Sequence, residues 1–243
     1  MNYQEKFNPF KIAKNGKTII ENYVSKYGHT QEYWLNKWNV KREHRALEGE
    51  IFHEFKELKS LKTSRSKYKG TELNHLTPPK DQIPYNELPD GIYTEFEVVN
   101  RRFMLRGRID RVIIQKPYVD IIDFKTNKEF KIRSYKDRKG RYKKLKAPAD
   151  SLEDSDFGRG SLQLNLYAWM IAEQGLIPRY LSIQHFKLSE DIRRKLKLGT
   201  VNFFDLKINP KFMGVDIDLQ MAERVIKDNN LRRGSLNNDL FLI

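Results

Sequence analysis

Three runs rich in β-branched and aromatic residues follow one another between residues 92 and 126. They read IYTEFEVV, RFMLRGRIDRVII and YVDIIDFKT, with turn-forming residues between them at 100–102 and 115–117. Such side chains favour strands, and short polar or proline-containing breaks favour the turns that join neighbouring strands. The pattern therefore predicts three adjacent β-strands at the centre of the fold.

Helices are predicted to flank these strands. Apolar residues recur at helical spacing in three segments, at residues 46–61, 161–175 and 216–229. Residues 180–188 predict a further strand, whereas the prolines between residues 78 and 89 predict an irregular connection over residues 62–91. The order of helix, three strands, helix and strand indicates an α/β fold.

The chain is predicted to have one main domain with two additions. Residues 1–45 are expected to form an N-terminal helical appendage, and residues 46–243 a core with a basic insertion at about residues 127–160. Within the insertion, residues 128–146 hold ten Lys and Arg against two acidic residues. Because like charges repel one another, a charged loop or small hairpin is expected, extended and mobile without a polyanion.

Composition restricts the chemistry. The absence of cysteine excludes disulfides, thiolate zinc sites, cysteine-ligated iron–sulfur clusters and a cysteine nucleophile. A metal ion would therefore need Asp, Glu or His as ligands. The formal charge of +14 is typical of a protein that binds a polyanion, although a basic protein without such a partner would show it too.

The sequence has no feature of a membrane or secreted protein. No run of about 18 apolar residues occurs, and lysines at positions 6, 11, 14 and 17 interrupt the first 20 residues. Neither a membrane span nor a secretory signal fits this pattern. A cytoplasmic protein with no membrane partner is therefore expected.

Acidic residues interrupt the predicted strands. Asp123 and Lys125 lie two apart on the third strand, so their side chains emerge on the same face. Alone, this pair is also consistent with an ion pair at a solvated sheet edge. Asp110 interrupts the apolar part of the preceding strand, however, and antiparallel pairing could bring it beside Asp123. Glu95 and Glu97 could add a third carboxylate, and several carboxylates suit Mg²⁺ or Mn²⁺.

Two predicted helices carry further polar candidates. His53 lies on the helix at 46–61 with Gly49 one turn before it, although a single histidine on an amphipathic helix is more often a surface or core residue than a ligand. Gln163 and Tyr167 are four residues apart and therefore share a helix face, which could equally be a polar surface stripe.

Together these residues resemble a known family, the RecB-like branch of the PD-(D/E)XK nucleases, over residues 46–190. The motifs that carry the resemblance are, in order, Gly49-x-x-x-His53, Glu95, Gly107-Arg108-Ile109-Asp110, Asp123-Phe124-Lys125-Thr126 and Gln163-x-x-x-Tyr167. Within that branch, the interval from Glu95 to Asp110 and the QLNLY helix are similar to the mitochondrial genome-maintenance exonuclease and to phage-type single-strand exonucleases.

The resemblance implies a restriction-endonuclease-like core, in which helices flank a central mixed sheet, and a Mg²⁺ or Mn²⁺ ion without an iron–sulfur cluster. The implied metal ligands are His53, Asp110, Asp123 and the Phe124 carbonyl. Lys125 and Glu95 complete the implied catalytic set, Glu95 being preferred to Glu97 on spacing. The residues expected to contact substrate are Gln163, Tyr167, Arg108 and, on a basic flap that follows the third strand, Lys136, Arg138, Lys139 and Arg141.

The function expected from this resemblance is exonucleolytic hydrolysis of single-stranded DNA ends in repair, replication or recombination. A helicase or another replication or recombination protein is a possible partner. Two alternatives stay open, an endonuclease with the same core and a non-catalytic nucleic-acid-binding subunit. The presence of Asp110, Asp123 and Lys125 together argues against the second.

Overall fold

A computed structural model of the chain describes residues 9–13, 15–39, 52, 64–79, 83–197 and 210–235. Its strands are β1 (Arg65–Tyr68), β2 (Thr71–Leu76), β3 (Gly91–Asn100), β4 (Leu105–Gln115), β5 (Tyr118–Lys125), β6 (Ile177–His185) and β7 (Lys211–Val215). Its helices are α1 (Ile19–Tyr27), α2 (residues 31–39), α3 (Asp156–Ala172), α4 (Glu190–Lys197) and α5 (Leu219–Ser235).

The seven strands form one mixed sheet in the order β1 to β7. β3, β4 and β5 pair antiparallel, as the three apolar runs predict. The β2–β3 and β5–β6 pairs are parallel, and the chain crosses from β5 to β6 through α3. α3 packs against the sheet and α5 packs against α3. The predicted mixed α/β class, with helices against a central sheet, is confirmed.

The predicted irregular connection over residues 62–91 is wrong in its first half, where β1 and β2 form a hairpin. Lys69 and Gly70 make the turn with φ of 47° and 88°. Two central residues with positive φ match the right-handed twist of a hairpin. The prolines begin only at residue 78, so they leave this hairpin intact, and the Lys-Gly pair between two short runs was the overlooked signal.

Other element boundaries also differ from prediction. α3 begins at Asp156, five residues before the predicted start, because Ser155 accepts a hydrogen bond from Gly158 N and so caps the helix. α5 begins after Asp218, which accepts a hydrogen bond from Met221 N, and β6 begins at Ile177. β7 was not predicted. Its five residues carry no apolar alternation long enough to stand out.

In the predicted N-terminal appendage, the described residues include the helices α1 and α2. Thr18 and Glu21 form a capping box at the start of α1, in which each side chain bonds to the backbone of the other. The predicted helix at 46–61 lies outside the described residues except for Phe52, which is helical and buried. Among the described residues, no helix has both the length and the apolar character that a membrane crossing requires.

Apolar residues pack on both faces of the sheet. The larger cluster lies between the strands β3, β4, β5 and β6 and the helices α3 and α5, and it includes Phe96, Ile121 and Leu164. On the other face, Phe52 packs with residues such as Ile122 and Phe186. Both faces of the sheet are therefore covered. A polar side chain that is buried in the sheet must have hydrogen-bond partners or a functional role.

The basic insertion is folded onto the domain instead of being extended. Leu145, Ala149 and Leu152 pack with α3 and α5, and two isolated bridges, Lys136 with Tyr142 and Lys144 with Glu153, order the chain. Glu153 also lies 2.6 Å from Arg133. The expectation of an extended segment was wrong because Glu153 and Asp154 lie beyond the basic run and form ion pairs with Arg133 and Lys143 in it.

A buried carboxylate joins the β1–β2 hairpin to the strands β5 and β6. Asp120 on β5 has no exposed surface. It accepts hydrogen bonds from Tyr68 (2.8 Å), Lys69 (3.2 Å) and Arg179 (2.9 and 2.8 Å). Burial alone would raise the pKa of Asp120, but these hydrogen bonds outweigh it and leave the pKa below its ordinary value. Since β1 is four positions from β5 in the sheet, the contact requires the sheet to curl.

Candidate active site

Three acidic residues lie in one row across neighbouring strands. Thr94 pairs with Arg111 and Phe96 with Ile109, so the register places Glu95 opposite Asp110. Arg111 in turn pairs with Ile122, and the same register continued by one residue places Asp110 opposite Asp123. The structure thus brings the two aspartates together, and it places Glu95, not Glu97, in their row.

The two aspartates are fixed by contacts on β5. Asp110 Oδ2 accepts a hydrogen bond from Phe124 N, which ties its side chain to the neighbouring strand. Asp123 is 6% exposed, and Lys125 Nζ lies 2.9 Å from its Oδ2. The site is therefore a pair of carboxylates with an ammonium beside it, at the end of β5.

Lys125 continues into a polar chain that reaches α3. Its Nζ donates to Gln163 Oε1 at 3.3 Å, and Gln163 Nε2 donates to the Tyr167 hydroxyl at 3.0 Å. Burial lowers the pKa of Lys125, but the charges of Asp123 and Asp110 outweigh burial and leave the pKa above its ordinary value. Lys125 is therefore a cation at neutral pH, and Gln163 and Tyr167 face the site instead of forming a surface stripe.

Gly107 permits this arrangement. A Cβ at position 107 would overlap with Cε1 of Tyr167 and would lie 3.1 Å from its Cζ. The ring of Tyr167 therefore rests directly on the backbone of β4, on the strand that carries Asp110. Only glycine at this position leaves room for the ring that orients Gln163.

Glu95 has an unusual backbone. Its φ is 50°, a left-handed conformation that costs a residue with a side chain on the order of 1–3 kcal/mol. The Glu95 carboxylate lies 3.5 Å from Arg108, and the exposed Glu97 pairs with Arg106. The backbone pairing of β3 with β4 is interrupted at Glu95, opposite Asp110. Glu95 and Asp110 therefore lie at the same irregularity of the sheet.

Buried polar groups on β6 and α4 fix the chain that leaves the site. Arg193 is 8% exposed and donates to the Thr126 carbonyl at 2.7 Å. His185 Nε2 lies 2.7 Å from the Asn127 carbonyl, and its ring stacks on Phe130. Sequence reasoning missed these residues because nothing nearby in the chain marks them. Their partners lie about sixty residues earlier.

The comparison with known families agrees with this geometry. A family model described as the PD-(D/E)XK nuclease superfamily matches residues 14–195, which is 182 of the 243 residues. The chain belongs to the PD-(D/E)XK nuclease superfamily. No curated protein matches the sequence. Membership indicates a nuclease that hydrolyses phosphodiester bonds of a nucleic acid, and members typically use a divalent metal ion.

The oxygen donors of this nuclease suit a hard divalent cation. Asp110 and Asp123 are carboxylates on adjacent strands, and the Phe124 carbonyl lies between Asp123 and Lys125 in the chain. Among the described residues, no three His, Asp or Glu side chains form a metal site by themselves. Mg²⁺ commonly uses only one or two carboxylates and keeps several waters, so a pair of aspartates fits it.

Several predicted site residues lie apart from this centre or outside the described residues. His53 and Gly49 belong to the latter group. Arg108 is exposed on β4 and contacts Glu95. Lys136, Arg138, Lys139 and Arg141 are exposed in the basic insertion, around a turn in which Asp137 accepts hydrogen bonds from the backbone of Lys139 and Arg141.

Replacing Gly107 by alanine is expected to disturb the site through Tyr167. The added methyl group forces the ring to move, and overpacking of this kind costs roughly 1–3 kcal/mol. Nuclease activity should fall because Gln163 loses its partner. Gly214→Ala on β7 is the matched control, since a Cβ there meets nothing within 4 Å. Thermal unfolding and cleavage rates measure both effects, and equal behaviour of the two variants would contradict the role given to Gly107.

Proposed function

We propose that the chain is a metal-dependent deoxyribonuclease of the RecB-like branch that degrades single-stranded DNA from its ends. The observation that carries the proposal is the convergence of Asp110, Asp123 and Lys125 from adjacent strands with Gln163 from α3. Phosphodiester hydrolysis requires a metal ion, a water and a charged phosphate to be held together. The carboxylates can bind the metal ion, and the buried ammonium beside them can contact the water or the phosphate. The motif resemblance supplies the branch and the single-strand preference.

In this mechanism, Asp110, Asp123, the Phe124 carbonyl and His53 would hold one or two Mg²⁺ or Mn²⁺ ions, which when bound lower the pKa of a water and offset charge on the phosphate. Lys125 donates hydrogen bonds to the attacking water or to the phosphate oxygen that gains charge. Gln163 and Tyr167 keep the Lys125 ammonium in place. Glu95, which lies opposite Asp110 in the strand register, contributes negative charge beside the two aspartates.

The tip of the basic insertion is proposed to bind the DNA backbone. Arg141 lies 3.0 Å from Asp137 and therefore stabilises the turn. Lys136, Arg138 and Lys139 are exposed, and none of them forms an ion pair with an acid in the part of the chain that the structure describes. These three cations are thus the ones in the turn that are suited to phosphate contacts. Because the base of the insertion is folded onto the domain, they are already positioned before DNA binds.

Replacing Lys136, Arg138 and Lys139 by serine is expected to weaken binding to DNA of every sequence. Each phosphate that the tip no longer neutralises should flatten the dependence of log affinity on log salt by about 0.7 on a single strand. The cleavage rate at saturating DNA should change far less. Serine at Lys67, Arg101 and Lys116, three exposed cations elsewhere, is the control with the same reduction in charge. An unchanged salt slope in the tip variant, or an equal change in the control, would count against a phosphate-binding tip.

End-labelled and circular substrates test the proposed function directly. Purified protein is incubated with linear and closed circular DNA, single- and double-stranded, in Mg²⁺, Mn²⁺ or EDTA. An exonuclease on single strands should shorten the linear single strand, require metal and leave the circle intact. Cleavage of the circle would indicate an endonuclease. Binding without cleavage in either metal would indicate a non-catalytic subunit.

A further inference from the structure

The helical hairpin formed by α1 and α2 carries a cluster of aromatic rings that the catalytic centre does not use. Ring centroids lie 4.1 to 6.1 Å apart in a continuous set of contacts. The members are Tyr23, Tyr27, His29, Tyr33, Trp34 and Trp38. Trp34 is 8% exposed and forms the centre of the set, whereas Tyr27 and Tyr33 are 51% and 40% exposed. The hairpin therefore needs only part of its aromatic surface for its own packing.

The backbone of the connection orients one ring outward. His29 has a φ of 54°, and Gly28 before it has a φ of 74°. A left-handed conformation is uncommon for a residue with a side chain, although histidine is among those that tolerate it. The result is that the exposed His29 ring stacks on Tyr33, with centroids 4.1 Å apart and planes at 25°. The hairpin thus presents a short stack of planar rings at its surface.

Cations accompany these rings. Lys26 Nζ lies 5.0 Å from the centre of the Tyr27 ring, and Lys37 Nζ lies 5.4 Å from that of Tyr33. Protein–protein interfaces are enriched in tyrosine and tryptophan but depleted in lysine, whereas surfaces for single-stranded nucleic acid combine aromatic rings for the bases with cations for the backbone. The composition of this surface therefore favours a nucleic-acid strand over a protein partner.

We propose that the aromatic face of this hairpin, formed by Tyr27, His29 and Tyr33, stacks the bases of a single-stranded nucleic acid outside the carboxylate centre. The choice of a single strand rests on the proposed function. It also follows from the geometry of stacking, because the bases of a duplex already stack on one another and a single strand leaves them accessible to the rings. A base continues the His29–Tyr33 stack, and Lys26 and Lys37 contact the phosphates beside it. Since every base has an aromatic face, this binding is independent of sequence.

The test compares a fluorescent single-stranded oligothymidine with an abasic strand of the same length, by anisotropy in EDTA. The parent should prefer the strand with bases. His29→Gly should reduce that preference about five-fold or more, because it removes the ring. It should also retain the fold, because glycine adopts positive φ without strain. Affinity for the abasic strand should not change.

Two further variants separate stacking from folding. Tyr33→Phe keeps the ring and should keep the preference for bases, whereas Tyr27→Leu should reduce it. Tyr118→Leu, which removes an exposed tyrosine on β5, is the matched control and should behave as the parent. Equal binding of both strands by the parent, or an unchanged preference in His29→Gly, would overturn the inference. Because the assay contains no metal and no cleavage, failure of the proposed exonuclease appears separately, as intact linear DNA in Mg²⁺.

Discussion

Asp110→Asn, Asp123→Asn and Lys125→Met are each expected to lower the cleavage rate by at least about 10²–10³-fold, the effect typical of removing one preorganised charge-stabilising group. Asparagine keeps an oxygen that can accept the hydrogen bond from Phe124 N or Lys125, so the fold should survive while the negative charge is removed. Methionine keeps the apolar stem of Lys125 but no longer donates to Gln163. The measurement is the initial rate on labelled DNA at saturating Mg²⁺.

Glu97→Gln is the matched control for these variants. Glu97 is an acid on the neighbouring strand, but it is exposed and pairs with Arg106 on the outer surface. Its replacement should leave the rate close to that of the parent. DNA binding in EDTA should be kept in all four variants, and thermal unfolding should show that each is folded. A folded variant at Asp110, Asp123 or Lys125 that cuts at the parental rate would disprove its catalytic role.

Asp120→Ala is expected to destabilise the protein by about 3–5 kcal/mol, the usual cost of removing one partner from a buried ion pair. The variant leaves Arg179, Lys69 and Tyr68 without their common acceptor, and Asp120 has no exposed surface through which water could replace it. For a chain of this size the midpoint of thermal unfolding should fall by roughly 10 °C. The hairpin of β1 and β2 should be the first element to lose protection from hydrogen exchange.

The same carboxylate predicts a dependence on acid. Because the pKa of Asp120 is lower in the folded protein than in the unfolded chain, its contribution is complete above the unfolded value of about 3.9. That contribution is lost as the pH falls through the folded pKa. The parent should therefore lose more stability than Asp120→Ala on acidification below about pH 4, so their unfolding curves should converge.

Glu72→Ala provides the control for Asp120→Ala. Glu72 lies on the same hairpin and pairs with Arg65 at 3.7 Å, but both side chains are more than half exposed. Exposed substitutions of this kind usually change stability by no more than about 0.5 kcal/mol. Equal unfolding midpoints for Asp120→Ala and Glu72→Ala would show that the buried network contributes little.

The central strands could be predicted because their signal is local. Side chains alternate with period two along each strand, and consecutive antiparallel strands lie next to each other, so Asp110 and Asp123 were expected to meet. The motif order also led to the superfamily that the family model supports. The roles of these residues, the branch and the exonuclease mode stay predictions, and His53 lies outside the described residues.

The insertion shows where counting charges along the chain was insufficient. The run from 128 to 146 is strongly basic by itself, and an extended loop followed from that count. In the fold, Glu153 and Asp154 form ion pairs with Arg133 and Lys143 of this segment, and Ala149 packs with α3 and α5. Repulsion between like charges depends on all neighbours in space, and the sequence order separates these neighbours.

By itself, the sequence determined the strands β3 to β6, the helices α3 and α5 and the residue types at the centre, since propensity and periodicity act over a few residues. The tertiary structure decided which distant groups meet. Lys125 meets Gln163 across 38 residues, Tyr68 meets Asp120 across 52, and Gly107 admits the ring of Tyr167. These contacts depend on the crossover through α3 and on the curl of the sheet. Both follow from how the whole core packs, so no local pattern could indicate them.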